Sequence, residues 1–286
     1  MLRYANSVTD PRPALRYFGA KWRLAPWIQQ YFPTHVCYVE PYAGSAAVLL
    51  QKPHSEIEIL NDIDQDVVTF FQVLRETPQE LLESIKNTPY SRAEYKKAWD
   101  PVEKPLERAR RLYVRSWQGW GGGSRYGGWR YQHSLNRGKS VVADWNRIDQ
   151  LWLIAERLKD AFIECDEALN IIERYDTQDT LFYLDPPYLK TTRSEHRTRY
   201  VHDMEREDHV ALLETIQRVQ GMVVLSGLHS ALYDEWLSDW HTVEKSARTT
   251  NPDHQTTETL WLSPAAVGRL PRQTTFIESL RFKVLQ

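Results

Sequence analysis

With 286 residues, 42% hydrophobic and 26% charged, the chain suits one large domain or a core domain carrying an inserted module, and it is neither disordered nor fibrous in composition. The longest apolar runs, residues 46–50 and 151–155, are five residues each and fall far short of the roughly 20 that a spanning helix needs, and no signal-peptide block opens the chain. Cys37 and Cys165 are the only cysteines, so neither a disulfide framework nor a cysteine-rich zinc site is expected, and the location expected is cytoplasmic; the net charge of −2 argues against a nucleic-acid partner only as an average over the whole chain.

In chain order, an aromatic segment, Tyr17-Phe18-Gly19-Ala20-Lys21, leads into a helix expected to begin near Trp22. Short apolar runs at 36–40, 56–60, 161–165, 180–185 and 222–226 have the pattern of strands buried on both faces of a parallel sheet. The first ends in VEPYAGSAA, so a small-residue turn at Gly44 and Ser45 is expected to open a helix. Helices are expected over 64–75, from Pro78 with a capping box between Thr77 and Glu80, from Ser91 capped with Glu94 three residues on, and over 205–219. HTVEKSA and ETLWLS read as a terminal antiparallel pair. Alternating strand and helix implies a doubly wound, mostly parallel α/β sheet.

Gly44 and Asp185 lie 141 residues apart, about 50 more than three βα steps of roughly 30 residues require. The surplus falls on an unusual segment. Residues 86–147 carry fourteen Lys and Arg against five Asp and Glu, a local charge of +9 that leaves −11 elsewhere. The same window holds five of the eleven tryptophans and seven of the twelve glycines. Basic, aromatic and glycine-rich sequence suits a surface that follows a phosphate backbone; a solvated basic face over core tryptophans is the alternative. The division expected is a first part of the core domain at 1–76, an inserted and mainly helical module at 77–150, and the rest of the core at 151–286.

Chemistry concentrates at the strand ends. In Asp185-Pro186-Pro187-Tyr188 the prolines have no N–H and leave carbonyls that only accept. Beside an aspartate they suit an exocyclic amine, whose lone pair leaves conjugation when both N–H groups are bonded, and Tyr188 offers a face for stacking. The alternative is a proline-rich strand exit with a capping aspartate. Glu40 and Gly44 form a nucleotide-cofactor turn, with Ala46 where a second glycine would fall, and Asp62 stands where a ribose diol is usually bound or where a helix is capped. Residues 190–200 read as a loop over the substrate or a solvated one. A P-loop fails because position 133 is His, and the histidines have no zinc-binding spacing.

Taken in order, YFGAK, VEPYAG, LNDID, the insert, FIECD and LDPPY resemble the D12 (Dam-like, α-group) class of S-adenosylmethionine-dependent DNA adenine-N6 methyltransferases over nearly the whole chain. The resemblance implies a seven-stranded, Rossmann-like methyltransferase sheet with an inserted target-recognition module, and transfer of a methyl group from S-adenosylmethionine to adenine N6 in double-stranded DNA with the base flipped out. It implies cofactor contacts from Tyr17, Lys21, Glu40, Gly44, Asp62, Asp166 and Asp185, catalysis by Asp185, Pro186, Pro187 and Tyr188, and no metal. DNA contacts expected are Arg115, Trp120, Arg125, Trp129, Arg130 and Arg137. A restriction endonuclease counterpart and a monomer or weak dimer are further expectations. Methylation of RNA adenine or a protein amide, and a non-catalytic DNA-binding relic of the fold, are the alternatives. Tyr42 replaces the family's usual Phe, and WQGWGGGSRYGGWR departs from the Dam-type recognition sequence, leaving the DNA sequence it reads open.

Overall fold

The computed structural model describes residues 12–120, 122, 127–133, 140–192, 201–248 and 255–271. Five strands, β1 (Cys37–Glu40), β2 (Ile57–Asn61), β3 (Ala161–Glu164), β4 (Thr180–Leu184) and β5 (Met222–Gly227), pair in parallel, each within a residue or two of the expected bounds. The expected antiparallel pair is β6 (His241–Arg248) with β7 (Gln255–Leu262). β7 inserts between β5 and β6, giving the order β3-β2-β1-β4-β5-β7-β6. The fold is therefore mixed α/β on a seven-stranded, mostly parallel sheet. The strand order reverses between β1 and β4, the switch point where open sheets of this kind leave a crevice beyond the strand ends.

Alternation along the strands sends successive side chains to opposite faces. Tyr38, Leu60, Tyr183, Val224 and Leu260 bury on one face; Val39, Ile59, Phe182, Leu184 and Val223 bury on the other. The second face is covered by α8 (Ala168–Arg174), α9 (Arg206–Ile216) and α10 (Ala231–Trp236). The first is covered by α1 (Ala25–Ile28), α2 (Gln65–Glu76), α3 (Pro78–Lys86), α5 (Pro105–Gln118) and α7 (Leu151–Arg157), to which α6 (Val141–Trp145) and α11 (Pro264–Gly268) add Trp145 and Ala266; α4 (Arg92–Lys97) packs on α5. Helices over 78–157 share the sheet's hydrophobic cluster. Tyr113 of α5 stacks on Phe70 of α2 with centroids 6.2 Å apart and planes 15° apart. No described helix is long and apolar enough to cross a membrane.

Three local expectations need correction. Thr77 makes no capping box with Glu80, because its N–H and hydroxyl both turn back to the Val73 carbonyl that ends α2. The regular helix expected after Gly44 is instead a run of turns over residues 44–51. The Leu49 N–H, which a helix would bond to the carbonyl of residue 45, goes to the Glu40 carboxylate, and both Gly44 and Ala46 take positive φ, 51° and 53°. The helix expected near Trp22 starts at Ala25, after a turn that begins at Lys21. Ser91 caps α4 as expected, accepting from the Glu94 N–H; α9 starts from a Glu205–Asp208 capping box and ends at Ile216.

Candidate active site

A cavity of 530 Å³ opens over the carboxyl ends of β1, β2 and β4. Seven carboxylates line it, among them Glu40, Asp62 and Asp185, against Lys21 and His202. Each acid arrives from a strand end, so its direction follows from the pleat and from the turn beyond.

At the end of β1, buried Glu40 accepts from the Tyr38 hydroxyl at 3.1 Å and the Leu49 N–H at 3.0 Å. Burial dominates these bonds and pushes its carboxyl up to about 8. Gly44 is required where it stands. Its φ is left-handed, and a Cβ there would lie 3.1 Å from the Tyr17 ring, which closes over the turn. Asp62 accepts from the Gly44 N–H at 2.7 Å and the Asp64 N–H at 2.8 Å, tying the turn after β1 to the end of β2, and burial raises its carboxyl to about 6. The cap of α2 itself is Asp64.

Tyr17 and Lys21 reach this place because the N-terminal segment is tied across α5. The Arg16 N–H donates to the Ser116 hydroxyl at 2.6 Å, that hydroxyl donates back to the Arg16 carbonyl at 2.9 Å, and the Trp117 indole donates to the Ala14 carbonyl at 3.0 Å. Lys21, 5% exposed, then donates to Asp185 Oδ1 at 2.8 Å and to the Gly19 carbonyl at 3.1 Å. Its Nζ also lies 4.8 Å from the centroid of the Tyr188 ring.

Asp185 and Pro187 are on the cavity wall; Pro186 is buried, and Tyr188 is partly buried and directs its hydroxyl to Glu258 of β7. Burial raises the Asp185 carboxyl to about 6, with Lys21 opposing and the charge of Glu258 adding to the rise. Glu258 also accepts from the Ser226 hydroxyl and lies 3.5 Å from Lys21 Nζ. Sequence reasoning missed Glu258 and Ser226. The available signal was alternation, since ETLWLS puts Glu258 on the same face as Leu260 and Leu262, a buried one.

The structure thus brings together Tyr17, Lys21, Glu40, Gly44, Asp62 and Asp185 at one cavity. It does not bring Asp166 there. The Asp166 carboxylate turns to α8, accepting from Asn170 at 2.9 Å and Arg174 at 2.7 Å, while buried Asn61 clamps its backbone to the Pro41 carbonyl side of the site.

The expected DNA-contact residues differ in exposure and in their partners within the fold. Trp120 is exposed by 51%, next to an antiparallel bridge between Gly119 and Trp129. Trp129 stacks on Tyr131 at 6.1 Å beneath the Arg92 guanidinium, 4.8 Å from its ring. Arg115 pairs with Asp66 of α2, and buried Arg130 pairs with Asp144 at 3.3 Å, so both guanidiniums are already engaged within the fold. Arg125, Arg137 and residues 193–200 of the loop after Tyr188 lie outside the described residues.

A family profile described as D12 class N6 adenine-specific DNA methyltransferase matches residues 17–119 and 122–251. Among similar proteins, a DNA adenine methylase of Haemophilus influenzae is 24% identical over 235 residues, covering 78% of this chain and 81% of its own length. A DNA adenine methylase of Vibrio cholerae is 24% identical, covering 78% and 83%. The Type II methyltransferase M.MjaIII of Methanocaldococcus jannaschii is 20% identical, covering 73% and 81%.

Proposed function

Because the chain belongs to the D12 class of N6 adenine-specific DNA methyltransferases, and so methylates adenine in DNA, we propose that S-adenosylmethionine is its donor and that Asp185-Pro186-Pro187-Tyr188 holds the flipped base. The observation that carries this is the 2.8 Å contact between Lys21 and Asp185, where the acidic cavity of β1 and β2 meets the Asp-Pro-Pro-Tyr segment of β4.

The residues present fit such a donor. A wall with seven carboxylates against one lysine and one histidine favours a ligand of net positive charge, and the Tyr17 ring, packed on Gly44, lines the same cavity. Tyr17, Lys21, Glu40, Gly44 and Asp62 would hold it; Asp166 is not part of this set. When bound, S-adenosylmethionine supplies an electrophilic methyl group on a sulfonium.

The chain's own part is to orient and to accept. The Asp185 carboxylate and the Pro186 carbonyl take the two N–H groups of the adenine amine, which frees its lone pair, and Tyr188 supports the base plane. With a carboxyl pushed up to about 6, Asp185 is ionised at pH 7.5 yet basic enough to take the proton the amine sheds. Positioning and charge carry the rate, as expected where no covalent intermediate forms on the protein. Extrusion of the base costs about a few kcal/mol, and binding of the flanking duplex repays it.

Residues 77–150 are proposed as the target-reading segment, with exposed Trp120 as its wedge or stacking platform. Duplex DNA incubated with labelled donor and digested to nucleosides should yield N6-methyladenine. RNA offered in parallel should not be methylated, and a duplex that stays unmethylated sinks the reading.

A further inference from the structure

Glu258 is a buried acid with three donors converging on one oxygen. It is 6% exposed, and its neighbours on the same face of β7, Leu260 and Leu262, belong to the apolar core. Its Oε1 accepts from the Tyr188 hydroxyl and the Ser226 hydroxyl and lies 3.5 Å from Lys21 Nζ. Stability does not account for such an arrangement. Withdrawing a carboxylate from water costs several kcal/mol, and a well-packed apolar residue serves a strand as well or better. What the arrangement achieves is geometric, because its partners are the ring after the two prolines and the cation that touches Asp185.

Resting on the reading of Asp185–Tyr188 as the amine-holding segment, we propose that Glu258 is a positioning residue for methyl transfer. It fixes the Tyr188 ring through its hydroxyl and shares Lys21 with Asp185. The shared ammonium keeps both acids in the site without fully neutralising either, so Asp185 retains accepting capacity toward the amine. Without the Glu258 charge, Lys21 settles wholly on Asp185 and the ring loses its anchor. The titratable groups near enough to act on Asp185 are Lys21 from the N-terminal segment, Glu258 from β7, Tyr188 from its own loop, Tyr183 from β4, Glu40 from β1 and Tyr233 from α10. Of these, Glu258 is the carboxylate that shares Lys21 with Asp185.

Glu258→Gln keeps the shape and removes the charge. In cofactor-free protein carrying ¹³C-labelled aspartate, with the Asp185 resonance assigned by its loss in Asp185→Asn, the titration midpoint of Asp185 should fall by about half a pH unit or more. With donor and DNA, kcat should drop about 10- to 100-fold while both KM values stay within about threefold, the signature of lost orientation. The acid limb of kcat should move down with the midpoint, and Glu258→Asp, which restores the charge, should recover part of both effects. An unchanged midpoint and kcat in Glu258→Gln, with a wild type that makes N6-methyladenine, overturns this proposal alone. A wild type that makes none overturns the reading beneath it. If Glu258→Gln does not fold, Ser226→Ala with Tyr188→Phe removes two of the donors and leaves the charge; a loss of about tenfold in kcat supports the proposal, and a loss under about twofold overturns it.

Discussion

At the carboxyl ends of β1, β2 and β4 the carboxylates outnumber the cations, whereas along α5 each of the four guanidiniums has a carboxylate of its own or a shared one. Arg108 and Arg115 both pair with Asp66, Arg110 with Glu94 and Glu107, and Arg111 with Glu107. The consequences for proton affinity are opposite. Hydrogen bonds from Arg110 and Arg111 hold the Glu107 carboxyl down at about 2, while burial lifts Glu40 to about 8 and Asp62 and Asp185 to about 6. Satisfied charge of the first kind fastens helices to one another. Carboxyls of the second kind resist ionisation because burial is not offset by a cation for each, a pattern that clusters at functional sites.

By that contrast, substitutions in the two regions should separate stability from chemistry. The largest effect belongs to Asp185→Asn. Methylation should fall by about 10²–10³-fold, the range for removing one aligned polar group from a transition state, while the melting temperature holds or rises because a costly buried carboxylate has gone. Activity within a few-fold of wild type would break the comparison on the cavity side.

Next is Arg115→Ala. Its side chain is 13% exposed against the Asp66 carboxylate, and its guanidinium lies 5.1 Å from the Trp99 ring. Truncation should cost about 2 kcal/mol of stability in denaturant unfolding with DNA affinity changed less than about threefold. The opposite result, unchanged stability and a salt dependence of DNA binding reduced by about one ion, would make Arg115 a phosphate contact and break the comparison on the helix side.

The same contrast explains what could be read beforehand. Strands 36–40, 56–60, 161–165, 180–185 and 222–226 and the acids at their ends were legible because a strand terminus fixes both place and direction. Glu40, Asp62 and Asp185 therefore meet at the cavity although 145 residues separate the first from the last. Arg115 and Arg130 are expected as DNA contacts because nothing local reveals Asp66 or Asp144 as their partners. Asp166 enters the expected site through the family resemblance alone, and the Asn170 and Arg174 side chains that turn its carboxylate away lie on α8, out of reach of that reading. The turn after β1 failed as a helix for a related reason, since Glu40 takes the N–H that the helix needs. Glu258 carried a signal, an acid on an otherwise apolar face, that strand assignment alone does not interpret.

Trp120 sharpens the helix side with a smaller effect. It is half exposed, unlike Trp129 beneath Arg92 and unlike buried Trp117 and Trp145. Trp120→Ala should leave stability within about 0.5 kcal/mol and weaken duplex binding by about 1–2 kcal/mol, the worth of one base–aromatic stack. Direct titration at fixed salt reads the second, and an unaltered affinity would return Trp120 to the solvated surface.

The smallest effect tests the cavity by proton linkage. Glu40, Asp62 and Asp185 have carboxyls raised by burial, so the folded chain holds these protons to higher pH than the unfolded chain. Their contribution to stability is present below about pH 4 and is lost as pH rises through about 6 and then about 8. A cationic ligand favours the ionised forms and restores what is lost over that window. The stabilisation given by S-adenosylmethionine should therefore grow between about pH 5.5 and 8.5, by about 1 kcal/mol. S-adenosylhomocysteine, which lacks the sulfonium charge, should show a flatter rise. Thermal melts with each ligand across that range decide it: parallel curves would mean that the surplus of carboxylates does not discriminate by ligand charge, and the contrast between the cavity and α5 would then be one of burial alone.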